Sequence, residues 1–248
     1  WERDPEKVDV LQELFGYLLS EDTAQQKLFL IVGPKRSGKG TIARVLTAMR
    51  GADSVAGPPL ASLSTNFGMA ALIGKPVAVI ADARLSGRAD QAIIAERLLS
   101  ISGEDSLTVD RKYLPAWTGR LSTRFVILSN ELPRLADASG ALASRFIVLR
   151  TRQSFYGGED VRLTDRLLTE LPGILNWAIE GYKRLTERGY FVQPQSTSDD
   201  IDELSDLGSP IGAFVRDCCI VEQGRNVAVN DLYAAWKSWC ESEGRDHP

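Results

Sequence analysis

A glycine-rich loop between an apolar run and a helical pattern carries the clearest chemistry in this sequence. Residues 33–41 read GPKRSGKGT and fit the pattern G-x-x-x-x-G-K, and Leu28–Val32 before them form an unbroken apolar strand. Apolar residues recur after the loop at helical spacing. In a strand–loop–helix unit of this kind, backbone N–H groups and the lysine bind phosphate oxygens at the positive end of the helix. The sequence therefore predicts a nucleoside-triphosphate site.

The end of this loop departs from the usual pattern. Gly40 stands where Ser or Thr normally follows the lysine, so Thr41 is the predicted magnesium-binding hydroxyl, and Lys39 is the predicted partner of the β- and γ-phosphates. Gly-Lys-Gly-Thr is similar to the adenylate-kinase form of the loop, so a nucleoside or nucleotide kinase is an alternative. The predicted nucleotide-binding residues are Gly33, Pro34, Lys35, Arg36, Ser37, Gly38, Lys39, Gly40 and Thr41.

Two further apolar runs end in polar residues. Asp82 follows the run at 77–81, and Asn130 closes the run at 124–128. Because ligands of parallel α/β folds bind at the carboxyl ends of the strands, Asp82 is a predicted magnesium ligand. Asn130 is predicted to orient the attacking water or to contact the γ-phosphate. The water-activating base stays open between Asp82 itself and Glu104.

Arg145 lies directly before a fourth apolar run, at 146–149. An arginine there could reach the γ-phosphate held by a neighbouring subunit and stabilise charge in the transition state. Lys39, Asp82, Asn130 and Arg145 are the predicted catalytic residues.

Composition narrows the function classes. The 248 residues are 44% hydrophobic and 25% charged, which is ordinary for a globular protein, and the net charge of −4 argues against a broadly basic nucleic-acid surface. No apolar run is long enough to cross a membrane. The only histidine, His247, lies at the C-terminal edge of the sequence, which excludes acid–base catalysis by histidine and a histidine-based zinc site. The three cysteines are expected to be free thiols in a reducing compartment. Because the first residue is Trp1, we expect an N-terminal region ahead of this chain.

Hydrophobic periodicity predicts the remaining elements. We expect an amphipathic helix at 8–18, serving as a lid or as a collar between subunits, and a hairpin formed by 106–113 and 115–123. An aromatic stripe on the last helix is expected to be core. Further predictions are a strand at 54–56 and helices at 65–73, 89–102, 163–170, 172–188, 211–219 and 231–243.

The order of the segments GPKRSGKGT, VAVIAD, SGEDSLTVDRKY, FVILSNELPRLAD and GALASRFIVL resembles the superfamily-3 helicases. The nearest likeness is to the phage and plasmid primase-helicases related to the poxvirus helicase-primase, over roughly residues 16–188. The resemblance implies an α/β P-loop NTPase fold, an AAA+-like three-layer parallel sheet with flanking helices. It also implies a hexameric ring with ATP at subunit boundaries and DNA in the pore.

The resemblance assigns roles to the motifs. It makes residues 33–41 the Walker A loop, Asp82 the Walker B acid, Asn130 the motif C sensor and Arg145 a finger acting in trans. The resemblance implies that the hairpin projects basic residues into the pore. Lys112 is the main expected DNA contact, and Arg111 is the second candidate.

We expect four segments: an N-terminal helix or collar (1–22), the ATPase (23–189), a linker (190–208) and a partial, apparently truncated winged-helix-like domain (209–248). The expected function is an ATP- and Mg²⁺-dependent DNA helicase motor of a mobile-element primase-helicase, moving 3′ to 5′ on single-stranded or forked DNA. Expected partners are further copies of the chain and an upstream primase region, in the cytoplasm of a bacterial host. The alternatives are a kinase, with Arg84, Arg88 and Arg97 around the acceptor, and a non-processive ATP-switch initiator.

Overall fold

The computed structural model describes residues 4–83, 85, 90–137 and 139–242. Its helices and strands are, in chain order, α1 (Pro5–Leu19), β1 (Leu28–Val32), α2 (Lys39–Arg50), β2 (Val55–Ala56), β3 (Val77–Ile80), α3 (Gln91–Ser102), β4 (Ser106–Arg111), β5 (Leu114–Arg120), β6 (Arg124–Ser129), α4 (Ala141–Arg145), β7 (Phe146–Arg150), α5 (Leu163–Thr169), α6 (Leu171–Arg188), α7 (Ser198–Gly208), α8 (Pro210–Cys218) and α9 (Val229–Ser242).

Five strands form one parallel sheet in the order β2-β3-β6-β1-β7, and β4 and β5 form a separate antiparallel hairpin. The strand before the glycine-rich loop, β1, thus lies between β6, which ends beside Asn130, and β7, which Arg145 precedes. Because all five strands run the same way, residues that follow strands share one edge of the sheet and residues that precede them share the other. The predicted α/β fold is confirmed.

The sheet is buried on both faces, which explains the unbroken apolar runs. Leu28, Leu30 and Val32 belong to the core on one face, with side chains of α3, α4 and α7 and the base of the hairpin. Phe29 and Ile31 belong to the core on the other face, with α1, α2 and α6. The sheet therefore lies between two layers of helices, as predicted.

Helix α1 packs closely on α6. A Cβ added to Gly16 would lie 2.2 Å from the Ala178 carbonyl oxygen, so the glycine permits the contact. The buried carboxylate of Glu13 joins the helices by accepting hydrogen bonds from Arg184 Nε (2.8 Å) and Arg188 Nη1 (3.0 Å). Of the two roles expected for α1, the structure shows packing on the core of its own subunit; a collar between subunits stays a prediction.

The segment expected to be a linker is packed structure. Residues 198–208 form α7, whose Asp200 receives two hydrogen bonds of 2.9 Å from Arg150 Nε. Before it, the Thr197 hydroxyl donates to the Val148 carbonyl (3.0 Å), and Leu204 is buried in the core. The acidic residues that suggested a solvated linker instead occupy the first turn of a helix, where they complement its dipole.

Two smaller expectations are also corrected. Residues 65–73 do not form an α-helix: a 3₁₀ turn, Gly68–Leu72, lies there instead, and another, Leu60–Ser64, precedes it. The aromatic stripe of α9 is only partly core, because Leu232 and Tyr233 are exposed while Trp236 and Trp239 pack on a buried phenylalanine of α8. The other domain boundaries and the winged-helix assignment stay predictions. Within the described ranges, we find no helix with the length and apolar character needed to span a bilayer.

Candidate nucleotide-binding site

The loop between β1 and α2 lies at the carboxyl edge of the sheet. Gly33 packs against the residue after β7, so that an added Cβ would lie 1.8 Å from Thr151 Oγ1. The same threonine hydroxyl donates a hydrogen bond of 2.7 Å to the buried Ser37 hydroxyl. Gly38 precedes α2 with φ of +90°, a conformation that favours glycine. The two glycines of the motif are therefore required by a close contact and by backbone conformation, and the loop opens onto the positive end of a helix.

Lys39 joins the loop to the end of β6. Its ammonium donates to the carbonyl oxygens of Gly33 (2.6 Å) and Pro34 (2.8 Å) and to the side-chain oxygen of Asn130 (3.2 Å). Burial lowers the pKa of Lys39, because desolvation disfavours the charged form. A phosphate placed beside the ammonium would oppose that shift. The structure thus brings together two predicted site residues that are 91 positions apart.

Two adjoining cavities lie along the loop. One, of about 740 Å³, is lined by residues 35–41, Asn130 and the segment 158–161. The other, of about 480 Å³, is lined mainly by apolar side chains of α1, α2, α5 and α6, among them Phe15 and Trp177. Thr41 lines both cavities. A polar cavity beside an apolar one matches the phosphates and the base of a nucleotide.

Residues 151–162, between β7 and α5, cover the loop from outside. The Ser154 hydroxyl donates to the Lys35 carbonyl (2.8 Å), and the Phe155 N–H donates to the Arg36 carbonyl (3.0 Å). The Arg36 guanidinium also pairs with Glu159 at 3.3 Å. Lys35 and Arg36 are thus exposed members of the loop whose backbone is fixed by the covering segment.

The predicted magnesium ligands differ in how well they fit a metal ion. The exposed carboxylate of Asp82 stands two strands from β1, at the same edge of the sheet, and does not line either cavity. The Thr41 hydroxyl accepts a hydrogen bond from Arg44 Nη2 (3.1 Å), so a metal ion on it would meet a guanidinium. Among the described residues no group of three His, Cys, Asp or Glu side chains could hold a metal. Asp82 together with phosphate oxygens suits Mg²⁺; Thr41 suits it poorly.

Arg145 lies at the opposite edge of the sheet, because it precedes β7 whereas the loop follows β1. Its Nη1 donates to the Leu99 carbonyl (3.1 Å) and the Ser102 hydroxyl (2.9 Å) at the end of α3. Glu104 is at this edge as well, where its carboxylate accepts a hydrogen bond from the Thr23 hydroxyl. Neither residue is near the phosphate loop of its own chain, and Glu104 as the water-activating base stays a prediction.

The hairpin β4–β5 has a buried base and an exposed tip. Val109 is fully buried, whereas Tyr113 is 91% exposed and has φ of +62°. The Lys112 ammonium lies 5.0 Å from the centre of the Tyr113 ring. Arg111 Nε donates across the turn to the Pro115 carbonyl (2.9 Å), so part of its hydrogen-bonding capacity holds the turn together.

Sequence reasoning missed the covering segment, Arg44 and Tyr113. The aromatic residue beside Lys112 could have been singled out from the sequence, because aromatic side chains are platforms for nucleotide bases. Arg44 and the covering segment are recognisable only once α5 is packed beside α2. Of the arginines expected around a kinase acceptor, Arg84 and Arg88 lie outside the described residues, and Arg97 Nη1 donates to the Thr65 carbonyl (2.7 Å).

Comparison with known proteins supports the fold. Residues 31–145 match a family of unknown function, DUF5906. The apo structure of the NrS-1 C-terminal region superposes with a TM-score of 0.65 at 14% identity, over 85% of this chain and 50% of that one. This chain shares the fold of the NrS-1 C-terminal region. A second apo form of that region gives a TM-score of 0.55 at 16% identity, over 96% of this chain and 59% of that one.

The chain spans about half the length of the NrS-1 region, and at this identity the likeness establishes the fold alone. An X-ray structure of JC virus helicase is also similar, with a TM-score of 0.43 at 16% identity, over 81% of this chain and 64% of that one. That score is too low to add to the argument. The fold implied by the superfamily-3 resemblance is confirmed.

Proposed function

We propose that this chain is the motor of an ATP-dependent DNA helicase and belongs to a phage or mobile-element primase-helicase. The motor would form a hexameric ring and move 3′ to 5′ on single-stranded DNA that passes through the pore. The observation that carries the proposal is the contact between Lys39 and Asn130 in the polar cavity. A phosphate-binding ammonium and a strand-end amide placed together can bind the γ-phosphate and orient a water molecule beside it.

In the proposed reaction, the Lys39 ammonium leaves the loop carbonyls and binds the β- and γ-phosphates. Asn130 then hydrogen-bonds the attacking water or a γ-phosphate oxygen without adding negative charge. The apolar cavity beside Thr41 takes the base. Asp82 would hold Mg²⁺, which would supply further positive charge beside the phosphates.

The position of Arg145 supports a site shared between subunits. A five-residue strand spans roughly 16 Å, which separates the edge that carries Arg145 from the edge that carries the loop. Arg145 therefore cannot reach a nucleotide on its own chain. In a ring it would meet the nucleotide of a neighbour and stabilise charge in the transition state.

The same arginine offers a route from ATP to DNA. Arg145 binds the last turn of α3, and β4 of the hairpin begins only four positions after Ser102. Withdrawal of Arg145 toward a neighbour's phosphate would release the end of α3, and the hairpin tip with Lys112 would move with it. A single lysine per subunit provides local positive charge, which reconciles DNA binding with a chain of net charge −4.

The direct test compares DNA-stimulated ATPase activity and fork unwinding of the protein with those of two variants. Lys39→Ala should abolish both activities, and Lys112→Ala should abolish unwinding and DNA stimulation while basal ATPase remains. Lys183→Ala, an exposed lysine of α6 paired with Glu180, is a charge-matched control. Unwinding that survives unchanged in Lys112→Ala would refute the assignment of the hairpin.

Two further measurements separate the alternatives. ADP formation from ATP without any acceptor nucleotide would count against a kinase. Processive translocation along a labelled DNA strand would count against an initiator that uses ATP only as a conformational switch. Electron microscopy with an ATP analogue and forked DNA should show a closed six-membered ring.

A further inference from the structure

Arg44, on the second turn of α2, is a cationic residue of the polar cavity with no role in the site described so far. Its guanidinium donates to the Thr41 hydroxyl (3.1 Å) and to the Thr164 hydroxyl (3.2 Å) on α5. The side chain is exposed, and it lines the same 740 Å³ cavity as Lys39. None of the ion pairs found among the described residues includes Arg44. A fixed guanidinium whose partners are neutral hydroxyls keeps its charge available for an anion.

The glycine that departs from the usual loop pattern lies beside this guanidinium. A Cβ added to Gly40 would be 3.4 Å from Arg44 Nη1. Position 40 is where a magnesium-binding hydroxyl normally stands. In this chain the hydroxyl is missing and a permanent cation is in van der Waals reach of the same position.

We propose that Arg44 binds the polyphosphate of the nucleotide. Its guanidinium supplies the positive charge that a magnesium ion, bound by a hydroxyl at position 40, would otherwise supply. Nucleotide binding by this chain then does not depend on the metal. This inference rests on the proposed function, because it assigns a phosphate contact within the same site.

Calorimetric titration with ATP, inorganic tripolyphosphate and adenosine, each in Mg²⁺ and in EDTA, tests the proposal. We expect the wild-type Kd for ATP to differ less than about tenfold between Mg²⁺ and EDTA. In EDTA, Arg44→Ala should raise the Kd of ATP and of tripolyphosphate by roughly 10- to 100-fold, the effect of losing a charge-assisted contact. The Kd of adenosine should not change, because adenosine has no phosphate.

Three variants distinguish phosphate binding from a structural role. Arg44→Lys keeps the charge and should recover part of the lost affinity. Thr164→Val removes only the partner on α5 and should change the Kd less than about threefold. Arg225→Ala is a control for net charge, in an exposed loop ion pair.

Equal Kd values for wild type and Arg44→Ala in EDTA would overturn this inference and leave the nucleotide site intact. An affinity loss in Thr164→Val as large as that in Arg44→Ala would also overturn it, by assigning the effect to the contact between α2 and α5. If the wild type binds neither ATP nor tripolyphosphate, the proposed function fails together with this inference.

Discussion

Replacing Arg145 by alanine has two separable consequences. Within one subunit, Arg145 donates hydrogen bonds to the Leu99 carbonyl and the Ser102 hydroxyl, and its charge faces the negative end of α3. Between subunits, it is proposed to stabilise the transition state at a neighbour's γ-phosphate. Arg145→Ala removes both contributions, so their magnitudes decide what the experiment can show.

The local contribution is small. Two hydrogen bonds and the helix-dipole interaction are together worth about 1–3 kcal/mol on a half-buried side chain. A domain stable by about 5–15 kcal/mol stays almost entirely folded after that loss. Losing an arginine finger lowers kcat by about 10³-fold or more, equivalent to about 4 kcal/mol of transition-state stabilisation. Partial unfolding therefore cannot imitate the catalytic effect.

Mixing subunits is the decisive assay. Arg145→Ala and Lys39→Ala are each expected to be inactive alone, but a mixture contains interfaces that pair an intact loop with an intact arginine, so part of the ATPase activity should return. Ser102→Ala, which removes one partner of Arg145 and keeps its charge, should retain most of the activity. No recovery in the mixture, or an equally inactive Ser102→Ala, would refute a role in trans.

Three further predictions concern the scaffold of the site. Gly33→Ala should destabilise the protein by about 1–3 kcal/mol and abolish ATP binding, because the added Cβ would collide with Thr151. Calorimetric unfolding and ATP titration measure the two effects, and an unchanged melting temperature would contradict the prediction. Glu13→Ala should lower the free energy of unfolding, measured in urea, by about 2–4 kcal/mol, because it leaves two arginines of α6 without their buried partner. Replacing the exposed Glu180 by alanine, as a control, should lower it by less than about 1 kcal/mol. Burial raises the pKa of Asp137, but the hydrogen bonds that it accepts outweigh burial and lower the pKa below the ordinary 3.8. Its contribution to stability is therefore complete above pH 3.8 and is lost as the pH falls through the lowered value, so Asp137→Asn should weaken the acid dependence of unfolding, measured by circular dichroism.

The strands of the sheet were predictable because they are buried on both faces. An apolar run bounded by polar residues leaves little choice of structure, and each of the four runs forms a strand near its expected position. The placement of Asn130 and Arg145 at opposite edges of the sheet could also be anticipated, because Asn130 follows its strand and Arg145 precedes its strand.

The packed segment at 198–208 was misassigned because its composition is ambiguous. Pro194 and the Ser-Asp-Asp run at 198–200 are typical of a linker, but they are equally typical of a helix N-terminus. The difference is decided by Arg150, which pairs with Asp200 from the neighbouring strand. Such a contact joins residues 50 positions apart and cannot be derived from local pattern.

Glu104 shows how tertiary position changes the meaning of a residue. As a carboxylate following α3 it was a candidate base, yet the fold places it in the three-residue turn that joins α3 to β4, with φ of +64° and the Thr23 hydroxyl bound to it. A non-glycine residue held in that conformation fixes the direction of the hairpin relative to α3. In the proposed motor, Arg145 acts on the last turn of α3 just before this turn, so a rigid joint at Glu104 would carry its displacement to Lys112. In that motor, Glu104 would belong to the mechanics that couple hydrolysis to DNA.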